Sequence, residues 1–209
     1  MQEVLVVGAG GLGREVFHLA QNCVGYGSSF KIVGFIDDNP TALNRYEGYP
    51  PIVGIFSELM NATGKSLFIA IGNNGARRRA AEALVSRNHS FITLVHSTAR
   101  IAGSLRCGQG CLIGPLVSVG AEATLGAFVL LQTGVIVGHD VSVASYCRLD
   151  NYAVLVAKST VGEGANVHSA AVVNGSVTIG DSATVGAASF VVRTVRAGST
   201  VLGNPAKEL

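Results

Sequence analysis

Tryptophan is absent from this chain, proline occurs five times in 209 residues, and charged side chains make up only 13% of it. The formal net charge of +2 is too small for the broad basic surface that a nucleic-acid partner needs. No apolar run approaches the length of a membrane span. The opening MQEVLVVGAGG has no basic segment ahead of its apolar residues and runs straight into a strand signal, unlike a secretory leader. The four cysteines, Cys23, Cys107, Cys111 and Cys147, include no Cys-x-x-Cys pair, and Cys107-x3-Cys111 lacks a His/Cys set for zinc. No metal is expected, and a reduced, cytoplasmic protein is the simplest expectation. So few charges also mean that the surface is apolar or covered, and cover usually comes from self-association.

Glycine is abundant instead, 27 residues, about twice the usual share. The chain changes character near residue 95. Before it, strand and helix signals alternate. EVLVV (3–7) precedes GAGGLG and the amphipathic REVFHLAQ, KIVGFID (31–37) is a second strand, and SLFIAIG (66–72) a third, followed by the helix NNGARRRAAEALVSR. FITLV (91–95) is expected as a fourth. This alternation predicts a small Rossmann-like α/β domain with parallel strands over 1–94.

From 95 to 209 the pattern has period six. Aliphatic residues recur at Ile101, Ile113, Val119, Leu125 and on to Val185 and Val191, with Cys107 the one exception. Four residues after each comes a smaller partner: Leu105, Cys111, Val117, Ala123 and so on to Ser189. Glycine often follows the leading aliphatic. Neither helix nor simple strand has this period, whereas a solenoid does, three hexads closing one triangular coil of 18 residues. The leading aliphatic and its small partner are expected to point inward. Cys107, Cys111 and Cys147 then become core residues. The segment resembles the left-handed parallel β-helix of hexapeptide-repeat acyltransferases, and the left hand comes from that resemblance.

The register gives a place to the one ionisable pair in VIVGHDVSV (135–143). Val137 is inward, so His139 and Asp140 project from the wall. Their neighbours one coil away are Ala121 and Ala157, which leave room for a ligand, while Lys158 is placed to pair with Asp140. On pattern alone the pair is equally a solvated wall segment or a site. His168 has Asp150 one coil below it on another face, a stack that suggests a structural role.

The N-terminal GAGGLG between strand and helix suits a phosphate, with NAD and a nucleotide sugar equally compatible. Asp37 and Asp38, at the end of the second strand, are placed to hold a ribose. Arg77, Arg78 and Arg79 could add phosphate contacts, although a solvated helix start explains them better. The order of GxGGxG, the acidic pair, IGNN, GHD and the terminal GNPAK resembles the NeuD/PglD-type sugar acetyltransferases along essentially the whole chain. The resemblance implies an acetyl-CoA-dependent N-acetyltransferase working on the 4-amino group of a nucleotide-linked amino-deoxysugar. It also implies a homotrimer with active sites at subunit interfaces.

In that family the equivalent of His139 is the general base, and Asp140 would orient it. Backbone N–H groups would hold the thioester oxyanion. Gly10, Gly11, Leu12, Asp37, Asp38, Gly72 and Gln132 fall on the acceptor side. Arg148, Ala157, Ser169, Ala187, Gly203, Asn204, Pro205 and Lys207 fall on the coenzyme side. Two positions depart from the family: Arg148 stands where a second histidine is frequent, and Gln132 where asparagine is. A sialic acid O-acetyltransferase of the same fold and a non-catalytic nucleotide-binding β-helix protein are the rival expectations. A metal-dependent hydratase would need three histidines, and only His139 and His168 lie well within the coils.

Overall fold

The computed structural model describes residues 1–59 and 64–209. The chain forms two compact units, Met1–Val95 and His96–Leu209. Among the described residues no helix is long and apolar enough to cross a membrane.

The first unit is an open α/β layer. Strands β1 (Gln2–Val7), β2 (Phe30–Ile36), β3 (Ile52–Gly54) and β4 (Ser66–Ile69) form a parallel sheet in the order β3-β2-β1-β4. Helices α1 (Gly11–Ala20) and α2 (Phe56–Leu59) lie between β1 and β2 and between β3 and β4, and α3 (Asn74–Val85) follows β4. The chain steps outward from β1 to β3 and then returns to the other side of β1, so the order reverses between β1 and β4. A crevice opens beyond the strand ends at such a reversal. The short β3 and α2 carry no periodic signal, and the sequence pattern does not predict them. FITLV contributes less than a full strand: Phe91 bridges Leu67, Ile92 N–H bonds the Leu67 carbonyl at 3.0 Å, and regular strand is confined to Leu94–Val95. A four-residue β4 offers no longer edge to pair with.

The second unit is a parallel β-helix. Two-residue strands recur every six residues from Arg100–Ile101 to Phe190–Val191, and those up to Val172–Val173 pair with the strand 18 residues on, as Ile136 does with Val154 and Leu130 with Arg148. They form three faces. One is a six-stranded sheet from Arg100–Ile101 to Phe190–Val191, and a second is five-stranded, from Arg106–Cys107 to Thr178–Ile179. The third runs from Leu112–Ile113 through Thr184–Val185 to Thr200–Gly203 and the antiparallel Ala206–Glu208. The leading aliphatics from Ile113 to Val191 and the smaller set from Cys111 to Ser189 are buried, as the period predicts.

The first coil departs from that pattern. Ile101 and Cys107 are exposed, because their strands are the edges of their sheets and no further strand covers them. Cys107 is therefore not a core residue. A hydrogen bond from Cys111 holds its thiol below the ordinary range, whereas burial pushes Cys23 up to about 12. Cys111 and Cys147 lie in the core as expected.

Two backbone features set the spacing of the coils. At every sixth residue from Gly110 to Ala188, φ lies between 55° and 70°, yet only Gly110, Gly134 and Gly164 of these are glycine. A left-handed conformation costs a non-glycine residue roughly 1–2 kcal/mol. The corner amide offsets that cost by bonding the coil below: Asp140 N–H donates to the Ala121 carbonyl at 2.9 Å and Lys158 N–H to the His139 carbonyl at 3.0 Å. Glycine is needed elsewhere, after the inward aliphatic. A Cβ on Gly120 would lie 2.7 Å from the His139 nitrogen, and one on Gly138 2.7 Å from the Ala157 nitrogen. Gly120→Ala should therefore cost about 1–3 kcal/mol, as other overpacked sites do, and lower the urea midpoint. Gly103→Ala, whose Cβ meets nothing within 4 Å, should leave it unchanged.

Candidate active site and nucleotide crevice

His139 and Asp140 occupy the corner that follows the six-stranded face. Asp140 takes the left-handed place (φ 58°), which aspartate tolerates better than most residues. From there its carboxylate meets the neighbouring ring, with His139 Nδ1 and Asp140 Oδ2 2.7 Å apart. The expected Asp140–Lys158 ion pair does not form, because the carboxylate turns to the adjacent imidazole. Both side chains are open, 60% and 49% exposed, and the alanines above and below leave the ring uncovered. With Nδ1 engaged, Nε2 is the nitrogen left to exchange a proton with a ligand.

A second cluster lies on the third face and the corner after it. Gln132, Asp150 and His168 stack at one-coil intervals in places where Gly114 and Gly186 continue the column. Asp150 is only 13% exposed and is held twice: Arg148 Nε donates to Oδ1 at 2.6 Å, and Oδ2 lies 2.8 Å from His168 Nδ1. The Asp150–His168 stack is the one that the register indicates; the part played by Arg148 carries no sequence signal beyond its i, i+2 spacing. Gln132 is buried. Ser169 and Ala187 are exposed at the next corner, one coil apart, where Ala188 N–H donates to the Ser169 carbonyl. Within one chain, Ala157 thus shares the corner of His139, while Gln132, Arg148, Ser169 and Ala187 belong to the opposite edge of the six-stranded face.

The terminal Gly203-Asn204-Pro205-Ala206-Lys207 makes a hairpin across a cis Asn204–Pro205 bond, with Gly203 at φ 105°. Gly203 N–H donates to Ser189 Oγ at 3.1 Å and fastens the hairpin to the last coil. Hydrogen bonds from Ser199 and Arg196 hold the Glu208 carboxyl below its ordinary range. Arg193 and Lys207 border an adjoining cleft of about 410 Å³.

In the first unit the glycines of GAGGLG divide by task. Gly8 (φ 100°) and Gly13 permit close packing, for a Cβ on Gly13 would strike the Gly8 carbonyl. Gly10 and Gly11 are open, with Gly10 as the N-cap of α1, so the amides of Gly10, Gly11 and Leu12 form an accessible helix start. Asp37 braces this loop: Oδ2 accepts from Ala9 N–H at 2.7 Å and Oδ1 from Asn39 N–H at 2.9 Å. Asp38 Oδ1 accepts from Phe56 N–H at 2.9 Å. A crevice of about 380 Å³ at the strand ends is lined by Gly8, Asp37, Asp38, Ile71 and Arg79. Arg77 is neither a solvated side chain nor a phosphate contact. It is fully buried and donates to the carbonyls of Ile71 (2.9 Å) and Gly72 (3.3 Å) and to Asn74 Oδ1 (2.8 Å). Its burial follows from the i+3 spacing to Asn74 on the inner side of α3, which three consecutive arginines conceal in the sequence.

An α/β unit with a crevice at its sheet reversal, followed by a hexapeptide β-helix bearing a His–Asp pair on its wall, is the architecture of a two-domain hexapeptide-repeat acyltransferase. Residues 3–84 match the family model described as the PglD N-terminal domain. The chain is 32% identical over 118 residues to UDP-N-acetylbacillosamine N-acetyltransferase of Bacillus subtilis (strain 168), a match covering 54% of this chain and 51% of that enzyme, so it spans about half the length of this relative. Similarity to solved structures extends over the whole chain. The acetyltransferase domain of PglB from Neisseria gonorrhoeae FA1090, in complex with acetyl coenzyme A, superposes with a TM-score of 0.89 at 30% identity, covering 100% of this chain and 99% of that one. A mutant of perosamine N-acetyltransferase from Caulobacter crescentus, in complex with CoA and GDP-perosamine, gives 0.90 at 28% identity, covering 100% and 97%. The chain belongs to the NeuD/PglD family of sugar acetyltransferases.

The buried guanidinium gives the crevice a measurable support. Arg77→Met strands two loop carbonyls and should cost about 2–4 kcal/mol in urea unfolding. Arg78→Met, at an exposed position on the same helix where the side chain pairs with Glu82, should cost less than about 1 kcal/mol.

Proposed function

We propose that the protein is an acetyl-CoA-dependent N-acetyltransferase acting on the 4-amino group of a nucleotide-linked amino-deoxysugar. The observation that carries this reading is the open His139–Asp140 pair, with Nδ1 engaged and Nε2 left for a ligand. The amine lone pair attacks the thioester carbonyl carbon while His139 Nε2 takes the proton, and the C–S bond breaks as coenzyme A departs. Asp140 keeps the ring in register. Backbone amides of the wall stabilise the oxyanion.

The relatives support the choice of substrates. One holds acetyl coenzyme A, and another holds CoA with GDP-perosamine. That second enzyme still holds both ligands in variants where one histidine is replaced by asparagine or alanine, as a residue of chemistry rather than of binding would allow. For this chain the nucleotide lies in the crevice of the first unit, its pyrophosphate on the amides of Gly10, Gly11 and Leu12 and its ribose against Asp37, Asp38 and Gly72. Gln132 belongs to the acceptor side. Coenzyme A follows Ala157, Ser169 and Ala187 and ends at Gly203, Asn204, Pro205 and Lys207, with Arg148 as a further contact.

The assembly is a homotrimer that buries the six-stranded face. That face carries an apolar stripe, with Ile136, Val156 and Val192 between 37% and 46% exposed and Val154, Val172 and Phe190 half-buried. Thr124, Ser142, Thr160 and Thr178 stand in the corresponding places on the five-stranded face. Sedimentation velocity should give three times the chain mass, and Ile136→Asp combined with Phe190→Asp should give one. A wild-type monomer at micromolar concentration would contradict this assembly.

His139→Ala should lower kcat/KM by about 10²–10⁴-fold with nucleotide-linked 4-amino sugars. Thermal shifts with coenzyme A and with the nucleotide sugar should persist. Undiminished turnover would exclude His139 as the base, and acetylation of free sialic acid in place of nucleotide-linked amines would reassign the acceptor.

A further inference from the structure

The coil carries two His–carboxylate pairs, and the reaction above uses one. Asp150–His168 is the more firmly built. Its carboxylate is 13% exposed against 49% for Asp140, and Arg148 fixes the oxygen that His168 does not use. His168 is 42% exposed, so a fixed ring presents Nε2 at the surface beside Ser169. Nothing in the coil's packing calls for these side chains, because Gly114 and Gly186 fill the same column above and below.

The two pairs flank the six-stranded face, Asp150–His168 at the corner where the chain enters it and His139–Asp140 where the chain leaves it. In a ring closed by rotation every contact is heterologous, so the leaving edge of one subunit meets the entering edge of the next. Rotation adds no rise along the axis. His139 and His168 are 29 residues apart, about 1.6 coils, which at ~4.8 Å per coil is ~8 Å of height. The His168 side chain also reaches down one coil to Asp150, which narrows the gap.

We propose that His168 is a second catalytic residue, with Asp150 and Arg148 as its positioning residues, and that it completes the site of the adjacent subunit. This rests on the acetyl-transfer reading and on the ring, and it adds a proton donor for the departing sulfur. The amine lone pair forms the N–C bond, and the C–S bonding pair leaves with sulfur. His139 Nε2 takes the amine proton, and the partner subunit's His168 delivers its Nε2 proton to the thiolate. One histidine gains a proton and the other loses one, and exchange with water restores both.

Subunit mixing tests this directly. His168→Gln should lower kcat with acetyl-CoA about 100-fold, the lower end of general acid catalysis, and Asp150→Asn should follow it with KM for acetyl-CoA within about threefold. Solvent-isotope proton inventories should show two protons in flight in the wild type and one in His168→Gln, a change that a structural role would not produce. Coexpressed His139→Ala and His168→Gln subunits should recover about a quarter of wild-type activity, since each mixed trimer holds one intact site. Wild-type kcat in His168→Gln, an unchanged two-proton inventory, or no recovery on mixing overturns the proposal. If the wild type itself transfers no acetyl group, it is the underlying acetyl-transfer reading that has failed.

Discussion

Everything on the coil depends on how closely one turn of backbone lies on the next. The strands can pair 18 residues apart only if each corner turns sharply enough to aim its amide at the carbonyl below. That demand places a left-handed residue at every sixth position, whatever its side chain. The same approach leaves no room for a Cβ after many of the inward aliphatics, and glycine recurs there for steric reasons more than for flexibility. With inner positions filled by aliphatic or small residues and others held to glycine, the outward and corner positions are those left for chemistry.

The wall chemistry uses those free positions in two ways. Asp140 sits at a left-handed corner, where the sharp turn folds its carboxylate back onto the preceding ring. One residue pair thereby holds an open imidazole against a carboxylate without a supporting loop. Asp150 and His168 use vertical stacking instead: one-coil spacing along a column brings the carboxylate beneath the imidazole, and Arg148 reaches it from two residues earlier in the same coil. Both arrangements are preorganised by the repeat itself, which fixes backbone positions more tightly than a loop could.

The six-residue period makes most of this geometry legible in the sequence. It assigns Val137 to the core, His139 to the wall and Asp150 to a place under His168, because direction in a coil follows from register alone. Register does not decide between neighbours within reach. Asp140 has both Lys158 and His139 on offer, and the nearer, already ordered imidazole wins over a long flexible ammonium. Arg148 joins Asp150 by the same kind of local competition. Register also assumes an infinite solenoid, so it misplaces Cys107, whose strand is the edge of its sheet. In the first unit, three successive arginines look equivalent by charge, and only helix phase separates the buried Arg77 from its neighbours.

Arg77 and Asp37 show how the α/β unit builds its crevice largely from backbone. Asp37 accepts the Ala9 amide and so pins the glycine loop, while Arg77 gathers the carbonyls of Ile71 and Gly72 on the opposite wall. One charged side chain organises donors and the other organises acceptors. The loop after β1 is thus left with amides facing outward and the loop after β4 with its carbonyls drawn inward. A crevice polarised in this way favours an anion over a cation at the α1 end. The preference is set by backbone direction, so it would persist through changes in most of the side chains around it, provided that Gly8 and Gly13 keep the strand and helix in close contact.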